Sequence, residues 1–152
     1  MRTVTLKHGK DCKRFRIPTE KDWGELAEYV AVKLKPGDIL AISGELGAGK
    51  TTFVQALVSA LNTQHATRNI GRSVVSPTFA LMRSYKIAKR GDLKRILHLD
   101  AYRIEHKGAV LALDLDEELR DGKTALVVEW PENISGWLKT KRPYSLAVSL
   151  LK

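Results

Sequence analysis

The chain has 152 residues, 43% hydrophobic and 28% charged, values that suit one packed domain with a real core. A single cysteine, Cys12, excludes an internal disulfide and a thiolate metal site, and no apolar window approaches the length of a membrane span. Against 17 acidic side chains stand 26 basic ones, a net charge of +9 that favours anionic partners such as nucleotide, RNA or an acidic protein face without choosing among them or excluding simple solubility. Residues 1–10 mix charges with isolated apolar positions and contain no continuous apolar leader, so a reducing, cytoplasmic setting is expected.

In chain order, Val4-Thr5-Leu6 and Phe15-Arg16-Ile17 read as short strands around a polar turn at Gly9-Lys10-Asp11. Thr19 offers a helix N-cap with Asp22 three positions on. Trp23, Leu26, Ala27, Val30, Ala31 and Leu34 then follow helical spacing, predicting a structural, amphipathic helix ended by Pro36-Gly37. Gly37-Asp38 is a turn, and Ile39-Leu40-Ala41-Ile42 suits a buried strand.

Next comes Gly44-Glu45-Leu46-Gly47-Ala48-Gly49-Lys50-Thr51, followed by Thr52 and a segment in which Phe53, Ala56, Leu57, Ala60 and Leu61 mark one helix face to about Leu61. Strand, glycine loop and helix together describe a phosphate cradle. Glycines allow turns that bring successive N–H groups onto phosphate oxygens, Lys50 adds positive charge, and the Thr51 hydroxyl is placed to bind Mg²⁺. The helix N-terminus contributes free N–H groups and the positive end of its dipole. This is nucleoside triphosphate chemistry.

Residues 62–75 are polar, carry Arg68, Gly71 and Arg72, lack a period and read as a loop. In Ser76-Pro77-Thr78-Phe79, Pro77 holds an extended turn, and Thr78 reads either as part of an ordinary strand entry or as a sensor of the γ-phosphate or Mg²⁺. Strand-like runs at residues 79–86 and 96–100, joined by Lys89-Arg90-Gly91-Asp92, predict an antiparallel hairpin. Lys86, Lys89, Arg90, Lys94 and Arg95 would concentrate positive charge at its tip, as a solvated turn or a dock for RNA phosphates.

Two apolar strands end in carboxylates, Ile96-Leu97-His98-Leu99-Asp100 and Leu126-Val127-Val128-Glu129. A triphosphate site needs acidic groups at strand ends near the loop, to hold Mg²⁺ directly or through water and to orient the attacking water, and either residue suits. Strand alternation sets His98 opposite Leu97 and Leu99, where it reads as a packed or hydrogen-bonded histidine with no catalytic part. Leu111, Leu113 and Leu115 with Asp114, Asp116, Glu117 and Glu118 form an acidic patch with a helix expected over residues 116–120, a solvated face or a surface for a basic partner. Trp130-Pro131-Glu132 breaks the preceding strand, a short helix runs through Trp137-Leu138, and residues 144–150 alternate like a terminal strand.

Residues 44–53, Ser76-Pro77-Thr78-Phe79, His98-Leu99-Asp100-Ala101-Tyr102-Arg103 and Val128-Glu129-Trp130-Pro131-Glu132, in this order, resemble the bacterial TsaE (YjeE) ATPases. The resemblance implies a single α/β domain over residues 1–152, a three-layer P-loop NTPase fold with a mainly parallel central sheet plus an antiparallel hairpin. It also implies an Mg²⁺-dependent ATPase acting with a TsaB–TsaD complex in forming N6-threonylcarbamoyladenosine at position 37 of tRNAs that read codons starting with A. Carried over by residue, Gly44, Glu45, Leu46, Gly47, Ala48, Gly49 and Lys50 would hold the phosphates, with Thr52 following them. Thr51 and Glu129 would hold Mg²⁺, Asp100 would help position water and join the metal set, and Thr78 would act as a switch. Trp130 would lie beside the nucleotide, and Thr19 and Glu20 near the adenine. The family's usual Leu after the third motif's Asp is Ala101 here, and a Gly common in the acidic segment is replaced at Asp114 or its neighbours.

Intrinsic turnover is expected to be slow and completed by a partner, with Arg103 a candidate arginine finger in cis. The alternatives are a small-molecule P-loop kinase, for which residues 62–75 make a poor lid, and a nucleotide-gated binding module; no Asn-Lys-x-Asp motif supports guanine recognition.

Overall fold

The computed structural model describes residues 1–62, 72–75 and 81–150. Thr78 and the rest of Ser76-Pro77-Thr78-Phe79 lie outside the described residues, as does Arg68. Among the described residues eight strands form one sheet: β1 (Arg2–His8), β2 (Asp11–Ile17), β3 (Ile39–Gly44), β4 (Arg72–Val75), β5 (Leu81–Arg90), β6 (Leu93–Asp100), β7 (Thr124–Glu129) and β8 (Tyr144–Leu150). Their order across the sheet is β2-β1-β8-β3-β7-β6-β5-β4. The four central strands β8, β3, β7 and β6 run parallel. Antiparallel strands extend both margins, β1 and β2 on one side and β5 and β4 on the other.

Composition explains the order. Thr124-Ala125-Leu126-Val127-Val128-Glu129 is buried along its whole length, as a strand covered on both faces must be, and β3 begins with four buried residues. On one face α1 (Trp23–Ala31) and α2 (Lys50–Asn62) cover Leu40, Ile42, Ile96, Ala125 and Val127. On the other, α3 (Lys107–Ala112), α4 (Leu115–Leu119) and α5 (Ser135–Leu138) cover Ala41, Leu97, Leu99, Leu126 and Val128. The result is the expected three-layer α/β arrangement, with the parallel strands at its centre.

Several expectations change in detail. Residues 72–75, expected as loop, form β4, because antiparallel pairing of Arg72 to Ser84 through Val75 to Leu81 satisfies their backbone where periodicity gave no sign. The helix of α1 stops at Ala31, well before Pro36-Gly37; Val32 is 67% exposed, and a turn closed by the Leu34 N–H to Val30 O bond returns Leu34 to the core. Helix α3 was not anticipated; His106 caps it by accepting the Ala109 N–H at Nδ1.

The charged surfaces also change meaning. Arg95 does not join a free basic tip: it donates to Thr124 Oγ1 at 2.8 Å and to Glu118 at 2.5 Å, and Asp121 lies at 3.6 Å, so it ties β6 to α4 and the start of β7. Lys86 and Lys94 are exposed, and the side chains of Lys89 and Arg90 lie outside the described ones. In the acidic segment Glu118 pairs with Arg95, Glu117 with Arg120, and Asp116 with Lys141 and Trp137 Nε1. Much of its charge is thus spent within the chain.

Candidate nucleotide-binding site

Strand β3 sits between β8 and β7 at the centre of the sheet and delivers residues 44–51 to the carboxyl end of the parallel strands, where α2 begins. Two glycines are required there. Gly44 has φ +150° and a Cβ on it would stand 2.7 Å from the Val148 carbonyl; at Gly49, φ +101°, a Cβ would meet Trp23 Cζ2 at 2.8 Å. Glu45, Leu46 and Gly47 are exposed, with Leu46 at 78%, whereas Ala48 is buried beneath the turn and its N–H bonds back to Glu45 O.

Lys50 is buried at 5% exposure and its ammonium is held by the loop that surrounds it, donating to Gly44 O at 2.7 Å and Glu45 O at 2.9 Å. The ring of Trp130 covers it, with Nζ 4.1 Å from the centroid. Trp130 reaches this position because its backbone adopts φ +60° directly after β7, and Pro131 then starts a 3-10 turn, Pro131–Ile134. Tyr102 packs against its ring at 4.9 Å. The first intrahelical bond of α2 runs from Phe53 N–H to Gly49 O, so the N–H groups of Lys50, Thr51 and Thr52 precede the ladder and have no partner within it.

The carboxylates converge where strand ends meet. Asp100 and Glu129 are register partners across β6 and β7, and Glu129 is also the partner of Ile42 in β3. The Thr51 hydroxyl donates to Glu129 at 2.9 Å and 3.1 Å from its two oxygens, and His98 Nε2 lies 2.9 Å from Oε1. Burial would push the Glu129 carboxyl up, but the His98 hydrogen bond and charge, the Thr51 hydroxyl and the Lys50 ammonium outweigh it and hold the group below the usual glutamate range. Asp100, half-buried, accepts the Tyr102 N–H at 3.0 Å in a local turn. Arg103 is exposed in the same turn.

The structure therefore brings together Lys50, Thr51, Glu129, Asp100 and Trp130. Thr19 and Glu20 are exposed at the entry to α1, where Thr19 commits its hydroxyl and N–H to Asp22 at 2.7 Å each; the link to the loop that the structure shows runs through Trp23. Helical spacing marks Trp23 as core alone, yet it also backs Gly49. Strand alternation gives His98 no catalytic part, and its contact with Glu129 is visible only once β6 and β7 are paired. Glycine turns that a Cβ would block, a buried cation, a hydroxyl on the first turn of a helix and hard oxygen donors on adjoining strands form a donor set that fits a nucleoside triphosphate and Mg²⁺.

The family model "Threonylcarbamoyl adenosine biosynthesis protein TsaE" matches residues 17–151. The chain belongs to the TsaE family. Among curated TsaE members described as tRNA threonylcarbamoyladenosine biosynthesis proteins, that of Aquifex aeolicus is 36% identical over 116 residues, 76% of this chain and 74% of the relative. That of Bacillus subtilis is 33% identical over 129 residues, 85% of this chain and 73% of the relative. The crystal structure of Bacillus subtilis YdiB superimposes with a TM-score of 0.65 at 26% identity, covering 98% of this chain and 80% of YdiB.

The departures from the TsaE pattern have structural explanations. In the acidic segment, where the glycine is replaced at Asp114 or its neighbours, Asp114 has a left-handed backbone, φ 48° and ψ 50°, a conformation glycine adopts freely and aspartate tolerates better than most side chains. Ala101 is wholly buried, its N–H bonded to Glu129 O, and its small side chain lies in the core on the α3–α5 face of the sheet.

Proposed function

We propose that this chain is a Mg²⁺-dependent ATP hydrolase of the tRNA threonylcarbamoyladenosine machinery, acting in the cytoplasm with a TsaB–TsaD complex to support modification at position 37 of tRNAs reading ANN codons. The observation that carries the reading is the Thr51 hydroxyl hydrogen-bonded to the Glu129 carboxylate, directly beside a buried Lys50 on a glycine loop. Family membership supports the pathway, and the net charge of +9 suits contact with tRNA, indirect or through the basic surface.

Bound Mg²⁺–ATP would supply the phosphoryl group and the metal that neutralises its charge. The residues have separable tasks. Free N–H groups of the loop and of Lys50, Thr51 and Thr52 would cradle the phosphates, while Lys50 would exchange the Gly44 and Glu45 carbonyls for phosphate oxygens. Thr51 and Glu129 would hold the metal. Asp100, beside Glu129, would add a carboxylate to it or orient water, and Trp130 covers the lysine side of the site. Thr78 is proposed as the switch that senses the γ-phosphate, and the Thr19-Glu20 segment as the adenine-proximal edge.

Release of free phosphate from ATP, with no phosphorylated acceptor formed, separates this reading from a kinase. Lys50→Ala is expected to reduce turnover to background, because it removes the loop's mobile positive charge from the transferring group. Wild-type turnover in that variant would sink the assignment. A TsaB–TsaD pair should be retained on the immobilised chain and raise its hydrolysis rate.

A further inference from the structure

We propose that His98 is a positioning residue whose Nε2–H fixes the Glu129 carboxylate toward Thr51. The proposal deepens the ATPase reading and rests on it. His98 is 4% exposed and Glu129 3% exposed, and their 2.9 Å contact joins two central parallel strands. An ionised carboxylate only accepts hydrogen bonds, so the nitrogen that faces it carries the hydrogen. The oxygen that His98 touches, Oε1, also accepts from Thr51 at 2.9 Å, which leaves the carboxylate held from two directions.

Strand geometry makes this hold rigid. His98 shares a sheet face with Asp100, Asp100 is in register with Glu129, and His98 is therefore the diagonal neighbour of Glu129 across β6 and β7. Tyr85 lies alongside the ring, its centroid 6.4 Å away and its plane tilted by 28°. Among the described residues, the other ring nitrogen, Nδ1, is buried without a hydrogen-bond partner. A histidine kept for packing gains nothing by burying an unpaired nitrogen, a cost that an apolar side chain would avoid. The Glu129 contact is the polar interaction that accounts for a histidine here. Lys50 does not substitute for it, since its ammonium bonds Gly44 and Glu45.

Two variants and one spectrum test the proposal on the full chain. His98→Leu removes the donor and His98→Gln keeps an amide N–H at similar reach. With a non-hydrolysable ATP analogue and Mn²⁺ as the probe ion, His98→Leu is expected to weaken Mn²⁺ binding to the nucleotide complex by about 10- to 100-fold while leaving metal-free nucleotide binding unchanged. His98→Gln should recover most of that loss. In the ligand-free wild type, ¹⁵N NMR should show His98 protonated at Nε2, with that proton protected from solvent. Wild-type Mn²⁺ affinity in folded His98→Leu, equal damage in the leucine and glutamine variants, or an unprotonated Nε2 would each overturn the assignment. If His98→Leu does not fold, the glutamine variant and the spectrum decide. If the wild type binds no nucleotide, the ATPase reading fails by itself and the Nε2 signal alone decides whether His98 holds Glu129.

Discussion

Lys50 shows how a single side chain is readied for an anion. Its ammonium is desolvated among the Gly44 and Glu45 carbonyls and the Trp130 ring, partners that a phosphate can outbid because a charge-assisted bond to an anion is stronger than one to a neutral carbonyl. Trp130 stands at φ +60°, a conformation costing an ordinary residue on the order of 1 kcal/mol, and the Pro131 turn and the contact with Tyr102 keep it there. Gly49 is a position where one added methyl group should be felt through a side chain of the core. Gly49→Ala forces a Cβ to 2.8 Å from the Trp23 indole at φ +101°, so a loss of about 1–3 kcal/mol is expected in urea denaturation. An unchanged midpoint would mean that Trp23 is not packed against the loop.

Helix α2 connects the core to the chemistry. Phe53 is wholly buried two residues after Thr51, with its ring 5.7 Å from that of Trp23, and Val54, Leu57 and Leu61 continue the same buried face. The helix can therefore present its first N–H groups in a fixed direction only while that face is seated. Phe53→Ala should cost about 3–5 kcal/mol of stability, read as a lower denaturation midpoint, from lost burial plus the cavity left behind. A cost below about 1 kcal/mol would show that α2 is held by something other than this face. On the opposite side of the sheet, α4 seats Leu115 in the core and is further tied by ion pairs from Arg95 to Glu118 and Lys141 to Asp116.

For the whole molecule, carboxylates held below their ordinary range contribute to the response to acid, Asp116 and Asp121 as well as Glu129 at the site. Hydrogen bonds from Lys141 and Trp137 hold the Asp116 carboxyl below the ordinary aspartate value of 3.8. Burial would raise Asp121, but the Thr124 hydroxyl, the Lys123 N–H, Arg95 and the Thr124 N–H bring it below the same value. Well above 3.8 both groups are ionised in the folded and unfolded chain and their stabilisation is complete. As the pH falls through that value the unfolded chain takes up protons first, so stability should decline and continue to decline until the folded carboxyls also protonate. Denaturant titrations across this range should show the decline, and Lys141→Ala should make it shallower. A wild-type profile that stays flat would refute the linkage.

The glycine loop, its flanking strand and helix, and the carboxylates closing two apolar strands were legible in the sequence because each is a local pattern: backbone freedom at Gly44 and Gly49, a 3.6-residue period from Phe53 to Leu61, and continuous apolar runs ending at Asp100 and Glu129. What those patterns could not contain was the pairing of distant segments. Strand β4 exists through its partner β5, Arg95 becomes a clamp only when α4 lies beside β6, and the contact between His98 and Glu129 arises from the register of β6 on β7. Side-chain type and spacing are written along the chain, whereas which donor faces which carboxylate depends on the lateral order of the strands and is decided only when the sheet closes.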